Sequence, residues 1–405
     1  MIYSVQDARF MTSPTTSEYE EPIFPPDTQG RTEVAGQSID EGKGRIFPCE
    51  GCGADLEFNI GQQELVCPYC GYKKQLVWNE DETIEEQNFS TMLKKLAEWR
   101  LEKEDEAVDD DQSGQQEIHC ESCGADVIFV GSLTSTTCPY CSSPLQREDG
   151  HKAPKRIPVD GMLPFVITRQ KTQENLNHWV AGLWFAPNDF KKQGIKGKFE
   201  GVYLPYWTYD SLTFTRYTGQ RGDDYYVTVG TGKNKSRQRR TRWSYASGSF
   251  QRFFDDVLIL AAREMNLKLV QELEPWPLQN CVPFRQELLA GLFSRTYEVE
   301  LEDGFHSAEA LIRNRLESDV RHRIGGDRQR IDSMDVFHDA ITFKHLLLPV
   351  WLMPYKYKGK LYQLMVNAAT GEVTGERPYS WVKITLTVMA CLLIAGVIFF
   401  FTQQR

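Results

Sequence analysis

The chain contains the run CEGCGADLEFNIGQQELVCPYC at residues 49–70 and a related run, CESCGADVIFVGSLTSTTCPYC, at residues 120–141. Each run has two Cys-x-x-Cys pairs, the tripeptide Gly-Ala-Asp after the first pair and Pro-Tyr inside the second pair. The second run begins 71 positions after the first, and the spacing between the cysteines is the same in both. Similarity at a fixed offset indicates a duplicated structural unit.

The cysteine spacing is typical of zinc ribbons. A structural zinc ion takes four ligands in a tetrahedron, and two residues between paired cysteines let one tight turn direct both sulfurs at the same ion. Glycine after the second cysteine of a pair relaxes that turn; Gly53, Gly71 and Gly124 meet this condition and Ser142 does not. The 14 residues between the pairs of each run are enough for a β-hairpin. The predicted ligands are Cys49, Cys52, Cys67, Cys70, Cys120, Cys123, Cys138 and Cys141.

Zinc is the expected metal, with one structural ion in each ribbon. Modules this small fold only with their metal, so binding and folding are coupled. A redox Cys-x-x-Cys belongs in a thioredoxin-like βαβ context, which the sequence does not show. Iron in a rubredoxin-like site is the alternative that stays open, because Cys67-Pro-Tyr-Cys70-Gly71 suits it too.

Composition and patterning indicate a multidomain α+β protein, since the chain has 405 residues with 41% apolar and 25% charged. We expect two tandem four-cysteine zinc ribbons, a mostly antiparallel α+β domain and one C-terminal transmembrane helix. The predicted segments are a disordered tail (1–44), ribbon 1 (45–78), an acidic helical linker (79–117), ribbon 2 (118–150), the α+β domain (151–380) and the transmembrane helix (382–402).

The linker carries the excess of negative charge. Residues 79–117 hold 14 Asp or Glu and 4 Lys or Arg, a balance equal to the net charge of −10 for the whole chain. Thr83-x-x-Glu86 has the form of a capping box, and apolar residues from Phe89 to Trp99 follow at helical spacing. The linker is expected to be a helix that packs on the rest of the protein, followed by a mobile acidic run from Glu102 to Asp111. A partner-binding helix is the alternative.

The pattern of the α+β domain predicts alternating strands and helices. The expected helices are Asn175–Phe185, Phe254–Glu264 and His306–Arg323. The expected strands are the runs from Pro164, Gly201–Asp210 with 212–215, Tyr225–Val229 after a turn at Gly222-Asp223, Leu346–Tyr357, Leu361–Val366 and Glu372–Thr374. The aromatic motif Tyr203-x-Pro205-Tyr206-Trp207 is interpreted as core rather than as a ligand platform.

The last segment has the composition of a membrane span. Residues 384–401 carry no charge, which fits the lower range for a helix that crosses a bilayer. Trp381 stands where an interfacial aromatic belongs, and Lys383 can extend to the headgroups. Arg377 and Lys383 before the span favour a cytosolic N-terminus. A buried core helix is the alternative.

The ribbons are poor candidates for phosphate binding. Residues 46–78 have a net charge of −2 and residues 118–147 a net charge of −1, whereas phosphate binding needs clustered Lys and Arg. One basic stretch, residues 233–242, holds Lys233, Lys235, Arg237, Arg239, Arg240 and Arg242 and precedes Trp243 and Tyr245. It is interpreted as a solvated loop between two strands, with anionic lipid, an acidic partner or nucleic acid as alternatives.

The sequence shows no enzyme motif. Gly230-Thr-Gly-Lys233 lacks the first glycine of a P-loop, and Asn234 stands where that motif has Ser or Thr. Neither Gly-x-Ser-x-Gly nor His-Glu-x-x-His occurs. His338 and His345 are the nearest pair of histidines away from the cysteines, and Cys281 and Cys391 are unpaired. We therefore expect a protein without catalytic residues.

The ribbons, the run Gly201–Asp210, Leu348-Pro-Val-Trp351 and Val366-Asn-Ala-Ala-Thr-Gly-Glu-Val373 together resemble the bacterial TFIIB-type zinc-ribbon membrane proteins over most of residues 45–405. Members often carry a label as a primosomal helicase-like protein, which this sequence does not support because it has no helicase or ATP-binding motif. The resemblance implies a bacterial membrane protein, in some relatives one that works beside phage-shock-type stress proteins. Only the eight cysteines transfer residue by residue.

These observations predict a non-enzymatic, membrane-anchored zinc-ribbon adaptor. It would recruit or organise protein partners at the cytosolic face of the bacterial inner membrane, as a single-pass protein with a cytosolic N-terminus. The alternative is a membrane-tethered nucleic-acid-binding protein that uses the basic loop 233–242. An enzyme that uses the α+β domain is a third class for which no residues are nominated.

Overall fold

The structure is a computed structural model that describes residues 47–76, 83–105, 116–120, 126–129, 135–138, 140, 144–146, 150–152, 156–193, 199–230, 235–263 and 265–403. These residues belong to one compact unit that covers residues 39–405. The predicted tail 1–44 and the acidic residues 106–111 lie outside the described residues. The predicted domain boundaries stay predictions.

The fold is α+β with mostly antiparallel sheets, as predicted. The strands are β1 (Glu57–Asn59), β2 (Glu64–Val66), β3 (Lys73–Gln75), β4 (Gln87–Asn88), β5 (Gln116–His119), β6 (Asp126–Phe129), β7 (Ser135–Thr137), β8 (Pro144–Gln146), β9 (Gly150–Lys152), β10 (Gly161–Met162), β11 (Glu200–Val229), β12 (Ser236–Leu260), β13 (Val282–Pro283), β14 (Phe293–Arg295), β15 (Arg328–Tyr357), β16 (Lys360–Asn367) and β17 (Val373–Gly375). The helices are α1 (Phe89–Asp105), α2 (Arg169–Gly182), α3 (Asn188–Gln193), α4 (Leu267–Gln271), α5 (Leu301–Ile324) and α6 (Trp381–Gln403).

Three long strands form the body of the protein. β11 lies between β12 and β15 and pairs antiparallel with both. At about 3.3 Å per residue, a straight strand of 30 residues would span about 100 Å. The half of β11 near Glu200 is buried on both faces, and the half near Val229 becomes exposed. The sheet therefore begins in the core and extends into solvent.

Helix α5 covers one face of the extended half of the sheet. Its residues Ile312, Leu316 and Val320 recur every four positions, so they share one face of the helix, and all three are buried. They pack in one cluster with Tyr217 of β11 and Met334 of β15. This packing supports the predicted helix 306–323, which the structure places inside α5.

The aromatic motif of β11 forms core, as predicted. Tyr203, Tyr206 and Trp207 are all buried. The Trp207 indole N–H donates to the Val299 carbonyl at 2.9 Å, and the Tyr209 hydroxyl donates to the Leu301 carbonyl at 2.7 Å. These bonds satisfy the polar atoms of Trp207 and Tyr209 and hold the start of α5 against the sheet.

The linker helix α1 packs on the body, as expected. The Phe89 ring lies 4.8 Å from Phe305 and 6.2 Å from Tyr209, measured between centroids. The predicted capping box is wrong: Asn88, not Thr83, caps the helix, because its side-chain oxygen accepts from the Thr91 backbone N–H at 2.9 Å. The helix also continues to Asp105, into the run predicted to be mobile.

The predicted turn at Gly222-Asp223 is wrong, because β11 runs through both residues. Gly222 stands there because a side chain does not fit. A Cβ atom at this position would lie 2.8 Å from a Thr241 methyl and 2.9 Å from the Trp243 ring. The sequence therefore contains a glycine of close approach between strands rather than a turn glycine.

The predicted helix 254–264 is also wrong. Phe254, Val257, Leu258 and Ala261 have helical spacing, but residues 254–260 belong to β12 and pair with 206–211 of β11. Asp256, with φ of 48°, lies at the irregularity that shifts the register opposite Asp210. Pairing with a long neighbouring strand decides the conformation here, which a local pattern does not report.

The remaining differences are smaller. Residues 163–167 are not a strand, and α2 begins at Arg169 and ends at Gly182 rather than covering 175–185. The Thr168 side chain caps α2 by accepting from the Lys171 N–H at 3.3 Å. The predicted strands 346–357, 361–366 and 372–374 correspond to the end of β15, to β16 and to β17.

Candidate metal centre and surrounding surfaces

The four cysteines of the first run converge on one point. The Sγ atoms of Cys49, Cys52, Cys67 and Cys70 all lie within 4.8 Å of one another. The Cys49–Cys70 and Cys52–Cys67 sulfur pairs are each 3.5 Å apart. Bonds of about 2.3 Å in a tetrahedron around zinc place sulfurs about 3.8 Å apart. The donor set therefore fits a metal ion and is compatible with a zinc ribbon.

Both cysteine pairs use the same turn. The Gly53 N–H donates to the Cys49 carbonyl at 2.8 Å, and the Gly71 N–H donates to the Cys67 carbonyl at 3.0 Å. Gly53 has φ of 71° and Gly71 has φ of 74°, which is the left-handed region. The glycine prediction is confirmed at these two positions, and the paired turns explain how both sulfurs of a pair reach one point.

The backbone of the second turn stabilises a thiolate. Hydrogen bonds from the backbone N–H groups of Cys70 and Tyr69 lower the pKa of the Cys67 thiol to about 6, although burial opposes this shift. The Gly51 N–H donates to the Cys49 sulfur at 3.4 Å. Thiolates are the form that coordinates a metal ion, so the turn prepares the ligand chemistry.

The body holds this cluster in place. Strands β1 and β2 form the predicted hairpin, and β3 pairs with β2. Phe58 of β1 is buried with Phe165 and Tyr203 of the body in one hydrophobic cluster. Its N–H donates to the Ala290 carbonyl at 3.0 Å, and the Gln63 side chain donates to the Phe165 carbonyl at 3.1 Å. The cysteine cluster is thus packed against the body and is not a separate module.

The second repeat follows the same register in the residues that the structure describes. Ser135 of β7 pairs with Gln146 of β8. The residues 71 positions earlier, Glu64 of β2 and Gln75 of β3, pair in the same way. Cys120 and Cys138 are both buried, at 1% exposure. Cys123 and Cys141, like Gly124 and Ser142, lie outside the described residues. The structure therefore brings together four of the eight predicted ligands.

The two repeats differ at one equivalent tyrosine. Tyr69 lies inside the second cysteine pair of ribbon 1 and is 82% exposed. Tyr140 occupies the same place in the second repeat and is 4% exposed. The Arg295 guanidinium lies 4.8 Å from the centre of the Tyr140 ring, and Gln363 donates to the Tyr140 carbonyl at 3.0 Å. Tyr140 of the second repeat is therefore packed on the body, whereas Tyr69 of the first repeat is exposed to solvent.

An acidic cluster that sequence reasoning missed lies at the bulge of β12. Oxygens of Asp210, Asp255 and Asp256 lie within 4.8 Å of one another. The Lys344 ammonium is 2.9 Å from Asp256 and 3.2 Å from Glu86. Burial raises the pKa of Asp210 to about 6. The lysine supplies the positive charge, so the group is an ion-pair cluster that joins distant strands; no local signal in the sequence marks it.

The predicted basic loop is wrong, because Ser236 and the residues after it form β12. Lys233 lies outside the described residues. The Arg237 guanidinium lies 4.3 Å from the centre of the Tyr226 ring, and Arg239 forms an ion pair of 3.4 Å with Asp224. The basic residues are therefore displayed on a rigid strand, and part of their charge is already partnered.

The two histidines that are nearest in sequence, His338 and His345, both hydrogen-bond within the protein. His345 is buried, and its Nδ1–H donates to the carbonyls of Ile157 and Pro158 at 3.2 Å each. His338 lies 3.0 Å from the hydroxyl of Ser211, which is fully buried. The absence of catalytic residues stays a prediction.

The C-terminal helix is long and apolar enough to cross a membrane. Its window from Trp381 to Phe399 has a mean hydropathy of 2.4, and none of that window is buried in the described protein. Cys391 is exposed on this helix. A core helix would bury one face, which this helix does not do. Length and composition thus favour a membrane anchor.

Fold and site define a class: an α+β protein with a four-cysteine cluster compatible with a zinc ribbon and one apolar C-terminal helix. The chain is 23% identical over 347 residues to the uncharacterized protein YdjG of Bacillus subtilis strain 168, covering 84% of this chain and 91% of that protein. No protein-family model matches the chain. No solved structure matches it.

Proposed function

We propose that this protein is a non-enzymatic zinc-ribbon adaptor anchored in a membrane by α6, which recruits protein partners through ribbon 1. It sits in the bacterial inner membrane, with its N-terminus in the cytosol, and holds two structural zinc ions. Cys49, Cys52, Cys67 and Cys70 would hold the first ion, and the metal would lock the two turns together. Cys120, Cys123, Cys138 and Cys141 would hold the second.

The exposure of Tyr69 is the observation that carries this proposal. Tyr69 is 82% exposed on a short turn between two cysteines that would be held by the metal. An aromatic side chain on such a fixed turn loses little conformational entropy when a partner covers it. The equivalent Tyr140 shows what such a turn does when a surface is present: it packs under Arg295 on the body. Ribbon 1 offers the same turn to a surface outside this chain.

The second zinc site is supported by the repeated register. Pro48 pairs with Asp55 in the first repeat, and His119 pairs with Asp126 in the second, again 71 positions apart. Cys120 and Cys138 are as buried as their counterparts Cys49 and Cys67. This repeated pairing in the described residues, together with the identical cysteine spacing in the sequence, supports a second ion of the same kind.

The test compares proteins captured by the full-length chain and by a Tyr69→Ala variant, both solubilised in detergent, with quantification by mass spectrometry. Specific partners should be lost with Tyr69→Ala while bound zinc is unchanged. Phe337→Ala is the matched control, because Phe337 is also an exposed aromatic residue but lies on β15. Capture that is the same for all three chains would contradict recruitment through ribbon 1.

The partner class is a further part of this proposal. The resemblance to TFIIB-type zinc-ribbon membrane proteins favours membrane-stress proteins as partners. A double variant, Cys49→Ser with Cys120→Ser, should lose the same partners as Tyr69→Ala and also lose zinc. Loss of partners in the double variant alone would mean that the ribbons only support the fold.

A membrane-tethered nucleic-acid-binding protein is the second candidate function. Arg237, Arg239, Trp243 and Tyr245 alternate along β12 and so share one face of the sheet. Arg330 of β15 lies 4.1 Å from the centre of the Trp243 ring. A face that combines guanidinium groups with aromatic rings suits single-stranded nucleic acid. The ion pair of Arg239 with Asp224 reduces its free charge.

Salt dependence tests this second function. Binding of a fluorescent single-stranded oligonucleotide should weaken with salt, and neutralising Arg237, Arg239 and Arg330 to Gln should reduce the slope of log affinity against log salt by roughly two. The control neutralises three exposed lysines elsewhere: Lys74, Lys94 and Lys95. Equal loss in both variants, or no binding at low salt, would reject it.

A further inference from the structure

The loop between α2 and α3 carries two exposed aromatic residues. Trp184 is 72% exposed and Phe185 is 38% exposed. The neighbouring Leu183 and Ala186 are buried and belong to the hydrophobic cluster beneath the loop. The loop therefore has a fixed base and presents its two largest side chains outward.

This loop is hydrogen-bonded to the first turn of α6. The Ser380 N–H donates to the Phe185 carbonyl at 2.8 Å. The Lys383 ammonium donates to the Trp184 carbonyl at 3.2 Å and to the Ala186 carbonyl at 2.8 Å. Lys383 thus turns back to the body rather than out to the headgroups, and it ties the loop to the level at which the apolar helix begins.

The side chains around this level are those of a membrane interface. Trp381 is 77% exposed and Tyr379 is 55% exposed, next to the exposed Trp184. Trp and Tyr concentrate at the boundary between headgroups and hydrocarbon because they are apolar with one polar atom. Arg377 precedes them and is also exposed. A bilayer that reaches the start of α6 must also meet a loop bonded to residues 380 and 383.

We propose that Trp184 and Phe185 insert into the interface of the phospholipid bilayer and form a second membrane contact beside α6. This inference rests on the proposed membrane anchor. Continuity with α6 favours lipid over a protein partner, because the backbone carbonyls of Trp184 and Phe185 accept hydrogen bonds from residues 383 and 380 at the start of the helix. Two contacts instead of one fix the tilt of the body, and with it the direction in which ribbon 1 faces.

Photo-crosslinking of the full chain in phospholipid vesicles tests the proposal. Benzoylphenylalanine replaces Trp184 in one variant, Val388 of α6 in a second and Phe337 of β15 in a third. All three positions are exposed, so the substitutions leave the core intact. After irradiation, adducts with an alkyne-labelled phospholipid are counted by mass spectrometry.

Lipid adducts at positions 184 and 388 with few at 337 are the expected result. Adducts at 388 without adducts at 184 would overturn the second contact and leave the anchor standing. Absence at 388 would overturn both, and equal labelling at 184 and 337 would overturn the second contact. Protein adducts at 184 in place of lipid would reject the bilayer as the occupant.

A second measurement does not depend on the photoreactive residue. Brominated lipids quench tryptophan fluorescence only where the indole reaches the bilayer. The wild type should lose a larger fraction of its fluorescence than Trp184→Phe, whereas Trp243→Phe should not reduce the quenched fraction. An unchanged quenched fraction in Trp184→Phe would overturn the inference.

Discussion

At the scale of single residues, the two cysteine turns show how a few backbone hydrogen bonds prepare a site. The turn of Cys67 directs backbone N–H groups at its sulfur, and these hydrogen bonds lower the pKa of the thiol. The same turn leaves Tyr69 in solvent. Five consecutive residues, 67–71, therefore supply two of the cysteine thiols and the exposed tyrosine through which we propose that a partner binds.

Replacing Cys67 with Ser should lower bound zinc by about one ion per chain, because three thiolates do not complete a structural site. Cys281→Ser is the matched control, since Cys281 is a half-buried free thiol that lies outside the cluster. Metal analysis of the purified chain after dialysis measures the difference. Equal zinc in both variants would contradict the assigned ligand.

His345 should make the stability of the protein sensitive to acid. Burial lowers the pKa of its imidazole from an ordinary 6.5 to about 4. A lowered folded pKa gives stability that is present above pH 6.5 and lost as the pH falls toward 4, by about 3 kcal/mol for a shift of this size.

Urea unfolding at pH 7 and pH 4 measures this effect. The decrease in the free energy of unfolding between the two pH values should be smaller in His345→Phe, which keeps a ring beside Trp207. His178→Gln is the control, because His178 is exposed on α2. The same decrease in His345→Phe as in wild type would remove His345 as the cause.

At the scale of elements, β11 shows why local patterns mislead in a long sheet. Gly222-Asp223 has the composition of a turn, yet it lies in the middle of one strand of 30 residues. Its neighbours on β12 and β15 decide this, since Trp243 and Arg328 occupy the space above the glycine. The strand continues because both of its edges are already paired.

Gly222→Ala should therefore destabilise the protein by about 1–3 kcal/mol, as overpacking does. Gly182→Ala at the end of α2 is the matched control, because a Cβ atom there meets nothing within 4 Å. The control should change stability by less than about 1 kcal/mol. Thermal or urea unfolding followed by circular dichroism compares them, and equal stability of the two variants would contradict the close approach.

At the scale of the whole molecule, one compact unit joins a cluster of four cysteines to a helix with the length of a membrane span. Leu56 and Phe58 of ribbon 1 share a hydrophobic cluster with Val180 of α2 and with Leu183, the residue after it. The loop that begins at Leu183 is hydrogen-bonded to α6. A movement of the body on the membrane would therefore move the metal centre with it.

Removal of residues 381–405 should release the protein from membranes and leave its zinc in place, because none of the candidate span is buried in the body. The measurement is extraction with alkaline carbonate, which the full chain should resist, together with metal analysis of the shortened chain. A full chain that is extracted, or a shortened chain without zinc, would contradict this separation of anchor and fold.

The sequence by itself determined the cysteine ligands that converge, the apolar anchor helix and the α+β class, because these depend on short-range spacing and composition. Cys49 to Cys70 are recognised from the spacing of their pairs, and residues 384–401 from an apolar run without charge. Helix α5 could also be predicted, since its apolar residues repeat at the helical period.

Only the tertiary structure decided the conformation of Gly222 and of residues 254–260, the burial of Tyr140 and the exposure of Tyr69. Gly222 is held by its contact with Trp243, residues 254–260 by pairing with residues 206–211, and Tyr140 by Arg295, all more than 15 residues away in sequence. Tyr69 has no equivalent surface to pack on among the described residues. Strand pairing and docking are set by contacts between distant segments, so the tyrosine of the shared sequence Cys-Pro-Tyr-Cys is buried at position 140 and exposed at position 69.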